Sequence, residues 1–173
     1  DVSDHAFEQR GLLHVPVLWQ GTEVHVIVAH FGLIHSSRVR QVERLAEYLE
    51  AEVPGEAHVM VAGDFNDWGE RLDGPMRGIG LKRAQTSIPA RTFPSRVPFF
   101  TLDRIYVRDL DVEGVQRHVG APWSRLSDHV ALAARLVERR HSDDQGAAAG
   151  LLGARNELRD RLAVAECVEL KPK

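Results

Sequence analysis

The stretch that most constrains this chain is Val59-Met-Val-Ala-Gly-Asp-Phe-Asn66, an apolar run that stops at a glycine and two metal-loving side chains. Such a run, bounded by turn residues, reads as a strand buried on both faces, here His58 to Gly63. If the extended backbone continues past Gly63, Asp64 and Asn66 project to one side and share a pocket at the sheet edge. A carboxylate and an amide so placed suit phosphate chemistry, because oxygen ligands hold Mg²⁺ and an amide donates to a phosphoryl oxygen. The competing reading is a Gly-Asp turn whose polar groups satisfy only local backbone.

The remaining elements are legible around that strand. Leu12 to Trp19 and Val24 to His30 are β-rich runs separated by Gln20-Gly21-Thr22, a hairpin signal. In the second run Val24, Val26 and Val28 on one parity and Ile27 and Ala29 on the other are apolar, so both faces are expected to be covered. Ser37 to Glu52 carries Val39, Val42, Ala46 and Leu49 at helical spacing, with Ser36 or Ser37 as its cap and Pro54-Gly55 as its stop. Trp68 to Pro98 is a long irregular segment rich in Gly, Pro and Arg, with a short helix near Gly74 to Gly80; such segments are often functional. Strands are expected again at Leu102 to Val107, Val112 to Val119 and Val130 to Leu136. The pattern predicts an α/β (α+β) domain over residues 1–140, with a mostly antiparallel sheet and at least one covering helix. Residues 141–173 read as a polar, alanine-rich linker and a terminal helix over Leu151 to Val168.

Charge and cysteine content narrow the function classes. The formal net charge of -3 leaves any anion binding to local clusters rather than to a broadly basic surface. Arg91, Arg96, Arg104 and Arg125 lie near the motifs and form either such a rim or ordinary surface arginines. Trp68 and Trp123 are expected to pack rather than to stack on a base or lipid. The single cysteine, Cys167, excludes an internal disulfide framework and a multi-cysteine zinc site, and is compatible with a cytoplasmic setting. No apolar run approaches membrane-spanning length. The chain opens on Asp1 rather than Met, and so reads as either a processed product or a fragment.

Further signals accompany Asp64. His30 closes a strand, Arg38 and Gln41 lie one turn apart on the following helix, Asp103 opens a strand, and Ser127-Asp-His129 precedes the last core strand. Taken singly, each has an ordinary explanation: a satisfied edge histidine, a solvated helix face, a turn cap, a loop. Their order resembles the endonuclease/exonuclease/phosphatase superfamily, which includes pancreatic-type deoxyribonucleases, apurinic endonucleases, sphingomyelinases and inositol-polyphosphate 5-phosphatases. The later half of that family runs strand-His, Arg-x-x-Gln helix, Gly-Asp-Phe-Asn, Asp-Arg strand start, Ser-Asp-His. This chain offers His30, Arg38 with Gln41, Gly63-Asp-Phe-Asn66, Leu102-Asp-Arg-Ile105 and Ser127-Asp-His129, and Thr92-Phe-Pro-Ser95 looks like bacterial members. Val28 stands where family members usually carry an asparagine.

The resemblance covers about residues 8 to 137. It implies a partial four-layer αββα sandwich, truncated at the N-terminus, and a phosphoester hydrolase using Mg²⁺, or alternatively Mn²⁺. It implies Asp64, Asn66 and Asp128 as metal ligands, together with a glutamate of the first half that this chain lacks; Glu8 is not a plausible substitute. Asp64 would orient or deprotonate the water, and Asn66 would donate to the phosphoryl group. Asp103 would hold His129, which would contact the scissile phosphate, while His30 would act from the opposite side. Arg38, Arg96 and Arg104 are candidate phosphate contacts. Asp64 and Asp128 beside one ion would titrate as a coupled pair. The substrate would be nucleic acid, a phospholipid headgroup or a small phosphorylated molecule, with no obligate protein partner. A reading of a different class is a catalytically silent fragment or binding module, since the metal-binding glutamate is absent.

Overall fold

Gln20 and Gly21 take φ of 52° and 90°, the left-handed pair that a two-residue hairpin turn requires, and join β1 (Leu12–Trp19) to β2 (Thr22–His30). In this computed structural model the described residues are 1–4, 9–85 and 89–139, with the backbone of one further strand at 164–167. After β2 come α1 (His35–Glu52), β3 (His58–Asp64), α2 (Asp73–Gly78), β4 (Lys82–Arg83) and β5 (Asp103–Arg108). They are followed by β6 (Leu110–His118), α3 (Trp123–Leu126), β7 (Ala131–Glu138) and β8 (Val164–Cys167).

Two sheets result, ordered β1-β2-β3-β5-β4 and β6-β7-β8. Every pairing is antiparallel except β2 with β3, as the sequence leads one to expect for a mixed α/β fold. The parallel pair is made possible by α1, which supplies the crossover between them. Its apolar stripe, including Val42, Leu45 and Leu49, packs on Ile27, Ala29, Val59, Val61 and Tyr106, and α2 adds Met76. The opposite parity of the same strands (Val24, Met60, Ala62, Ile105 and Val107) meets Leu110, Leu132 and Ala134 of the second sheet. The double-sided apolar pattern of β2 and β3 therefore separates two cores, giving helix, sheet and sheet in layers.

Two local expectations fail. The α1 N-cap is Ile34, without a side-chain cap, and Ser37 instead donates its hydroxyl to Asp4 Oδ2 at 2.6 Å. The helix start is fixed from elsewhere, by the side chains of Arg38 and Gln41 described below. The terminal helix expected over Leu151 to Val168 is replaced at Val164–Cys167 by β8, which pairs antiparallel with Leu132–Arg135 of β7. An unpaired strand edge offers backbone hydrogen bonds that a local helical pattern does not reveal. The rest of that segment, like Glu8, lies outside the described residues. Among the described residues no helix is long and apolar enough to cross a membrane.

Candidate active site

Three neighbouring strands end on one rung. In the β2–β3 register His30 sits beside Asp64, and in the β3–β5 register Asp64 sits beside Asp103. Residues in register on adjacent strands project to the same face. All three share the parity of the residues that face the second sheet, and that sheet contributes His129 from the residues just before β7. The result is a compact group. His30 Nε2 lies 3.5 Å and His129 Nε2 3.9 Å from Asp64 Oδ2, while His129 Nδ1 is 2.7 Å from Asp103 Oδ2. Asp64 is 1% exposed, so two imidazoles flank a carboxylate that water does not solvate. A buried carboxylate needs such compensation, and the Asn66 backbone N–H adds a hydrogen bond of 2.8 Å to Asp64 Oδ1.

Asp64 and Asn66 thus stay together, but not by strand alternation. Asn66 has φ of 48°, and its backbone N–H closes an Asx turn on Asp64. Its side-chain Nδ2 donates to Phe31 O at 2.8 Å, so one of the two amide hydrogens is engaged within the protein. Gly63 makes the approach possible. It has φ of 144°, and a Cβ there would sit 1.9 Å from the Ala29 carbonyl oxygen.

The loops around the rung are cross-tied by residues whose role the sequence did not disclose. Asp103 N donates to Thr92 Oγ1 at 3.1 Å, and Val130 N donates to Thr92 O at 2.7 Å. Ser95 donates through its backbone to Asp128 O at 2.6 Å and through its hydroxyl to Ser127 O at 3.0 Å. The Thr92-Phe-Pro-Ser95 element therefore clamps the β5 start to the Ser127-Asp-His129 turn. The Phe93 ring lies against His129, centroids 4.8 Å apart, and Trp68 packs edge-on to Phe93 and Phe100 while remaining 45% exposed.

The candidate arginines divide. Arg38 and Arg104 are 4% and 2% exposed and are not surface phosphate contacts. Arg38 donates to the carbonyls of Gly32 and Leu33, Gln41 accepts from Gly32 N at 2.9 Å, and Arg104 engages Asp67. An arginine carries its charge inward when an acid and several carbonyls await it, which residue type alone cannot show. Arg96 is exposed, one residue from the Ser95 clamp, and remains available to an anion. Asp128 is exposed too and is not among the acidic and imidazole residues whose ligand atoms gather within 4.8 Å.

Among the described residues the acidic and imidazole set that converges is Asp64, Asp103 and His129, with donor atoms within 4.8 Å of one another. His129 Nδ1 is held by Asp103, the way a ligating histidine is commonly oriented, so Nε2 is the ring nitrogen left facing Asp64. The oxygen donors at the rung are the carboxylates of Asp64 and Asp103, with Asn66 two residues beyond Asp64, while the exposed Asp128 stands outside that group. That set fits part of a Mg²⁺ shell, which takes one or two carboxylates and keeps several waters.

A sequence model of the Endonuclease/Exonuclease/phosphatase family matches residues 4–129. The chain belongs to this family. Within it, the chain is 37% identical to the uncharacterised protein YbhP of Escherichia coli K12 over 142 residues, covering 79% of this chain and 56% of YbhP. It thus spans little more than half the length of the curated relatives it matches. Its fold resembles the endonuclease/exonuclease/phosphatase structure from Bacteroides vulgatus with a TM-score of 0.60 and 22% identity, over 69% of this chain and 51% of that one. It also resembles D. rerio TDP2 in complex with a single-strand DNA product, with a TM-score of 0.57 and 19% identity, over 74% and 62% of the two chains. At those identities the likeness concerns fold. His30, Asp64, Asp103 and His129 all lie within the residues that the family model matches.

Proposed function

We propose that the protein to which this chain belongs is a metal-dependent phosphoester hydrolase, a nuclease- or phosphatase-like phosphodiesterase, and that the rung is the nucleophile-activating side of its site. The observation that carries this reading is the pair of imidazoles placed 3.5 Å and 3.9 Å from one buried carboxylate oxygen, one of them oriented by a second carboxylate. P–O hydrolysis needs an aligned water, relief of charge on the phosphoryl oxygens and a proton for the leaving group.

Each residue then has a role. Asp64 orients or deprotonates the attacking water. Asp103 fixes the His129 ring through Nδ1, so that Nε2 meets a phosphoryl oxygen. His30 serves the other side of Asp64 by hydrogen bonding or proton transfer. Asn66 keeps one amide hydrogen for the phosphoryl group, and the exposed Arg96 meets a substrate anion. The oxygens of Asp64 and Asn66 would hold Mg²⁺ or Mn²⁺, and Asp128 would join them only by turning inward from its exposed position. Such an ion, when bound, relieves charge on the phosphoryl oxygens. The substrate is a phosphate ester of nucleic acid, of a lipid headgroup or of a small phosphorylated molecule. The exposed Trp68 beside the site favours one with a flat or apolar group next to the phosphate.

The test uses the full natural protein with a generic bis-phosphoester, followed by a panel of DNA, RNA, lipid and inositol phosphates. Hydrolysis should depend on Mg²⁺ and stop on chelation. Asp64→Ala and His129→Ala should each lower turnover by about 10³-fold or more while leaving the circular dichroism spectrum intact. Near-normal turnover in either variant rejects the assigned roles.

A further inference from the structure

Arg38 and Arg104, which the hydrolytic roles above do not use, meet at a third residue. Asp67 is 1% exposed and follows Asn66 directly. Its Oδ2 accepts from Arg104 Nη1 at 2.7 Å and from Leu72 N at 2.8 Å, and its backbone carbonyl accepts from Arg104 Nη2 at 3.1 Å. Its Oδ1 lies 4.0 Å from Arg38 Nη2. Neither Asp67 Oδ1 nor Arg38 Nε has a hydrogen-bond partner among the described residues, so this second arm is looser than the first.

Where the arms land is the informative point. Arg104 is the residue after Asp103, and Asp67 comes three residues after Asp64. The carbonyls held by Arg38 belong to Gly32 and Leu33, just beyond His30. Arg104 shares the parity of Tyr106, on the helix-facing side of the sheet, so this charge knot backs the rung through the strands. A desolvated ion pair is a poor means of stabilising a core, since apolar residues of equal volume often do as well or better. What it supplies is direction: a two-pronged guanidinium fixes its carboxylate and both attached backbones in one relation.

We propose that Asp67 is the positioning residue of this site, acting through Arg104 and Arg38 to hold the strand ends that carry Asp64, Asp103 and His30 in one mutual register. It touches no reacting atom. Its kinetic consequence rests on the hydrolase reading, whereas its effect on the geometry of the rung does not.

The experiment compares the full natural protein with Asp67→Asn, which keeps shape and an acceptor for Leu72 N but removes the charge shared by the two guanidiniums. Two readouts are taken at a temperature where both proteins are folded by circular dichroism. The first is the downfield proton resonance of the His129 Nδ1–H bonded to Asp103, assigned with His129→Gln. The second is steady-state hydrolysis of the bis-phosphoester. The proposal expects that resonance to broaden or vanish and kcat to fall about 100-fold, with KM changed less than about twofold. A folded Asp67→Asn protein with an unchanged resonance and wild-type kcat overturns it, even if the melting temperature has dropped. If the wild-type protein hydrolyses no phosphoester, the hydrolase reading fails and the resonance alone decides the role of Asp67. If Asp67→Asn does not fold, Arg104→Lys takes its place, because it keeps the charge beside Asp67 and gives up the fork; the same two outcomes then decide.

Discussion

At the residue scale, Gly63 shows how backbone chemistry sets side-chain chemistry. It pairs with Ala29 across β2 and β3, one step before the rung, in a conformation that L residues rarely adopt. Gly63→Ala forces the added methyl into the Ala29 carbonyl oxygen, which belongs to backbone and cannot swing away. The expected cost is about 2–5 kcal/mol, from combined overpacking and strain, read as a lower midpoint in urea with an unchanged slope. A midpoint within error of wild type contradicts the close approach. The residues of the rung were readable because each lies where an apolar run gives way to a polar side chain, and a run's end marks a sheet edge. The burial of Arg38 and Arg104 was not readable, because a long cationic side chain looks the same on a surface helix and beneath a loop. A signal did exist for Arg104. It shares a parity with Tyr106 in a strand buried on both faces, and two polar groups so placed need an acid within the core. Asp67, in the polar cluster after the strand, takes Arg104 at 2.7 Å, and Asp73 of α2 accepts from the Tyr106 hydroxyl at 2.7 Å.

At the element scale, β1, β2, α1, β3, β5, β6 and β7 follow from periodicity and turn residues, whereas strand order does not. That β5 rather than β4 lies beside β3, and that β8 closes on β7, are long-range choices that no local pattern encodes. The β1–β2–α1 junction carries a pH dependence of its own. His14 Nδ1 lies 3.0 Å from the Tyr48 hydroxyl, and its Nε2 lies 2.9 Å from His25 Nδ1. Burial, and then the neighbouring His25, hold the His14 imidazole below its ordinary value of 6.5, against a weaker upward pull from Glu52 and Glu23. Folding therefore favours the neutral ring. The contribution of His14 to stability is complete above about pH 6.5 and is lost as pH falls through its lowered folded value. Thermal unfolding followed from pH 7 to pH 5 should show a falling melting temperature, and His14→Gln should flatten that limb by a few degrees. An equal slope in both proteins removes His14 from the account.

At the scale of the whole molecule, the second sheet covers only part of the first. Leu13, Val15 and Val17 of β1 are 62%, 43% and 42% exposed and project from the same face as their partners Val28, Val26 and Val24. Val24 lies in the core between the sheets, so an exposed apolar strip runs directly out of that core to an edge strand. Edge strands with apolar faces pair and stack with other copies unless charge or cover prevents it. The 173-residue chain studied alone should therefore self-associate, its sedimentation coefficient rising with protein concentration. Val15→Lys combined with Val17→Thr places a charge and a hydroxyl in the strip at positions already open to water, where substitution costs little folding free energy. That variant should remain monomeric over the same concentrations and melt within a few degrees of the parent. If the parent chain itself stays monomeric throughout, the strip is not the sticky surface that its composition implies, and the covering of this face must be sought within the chain.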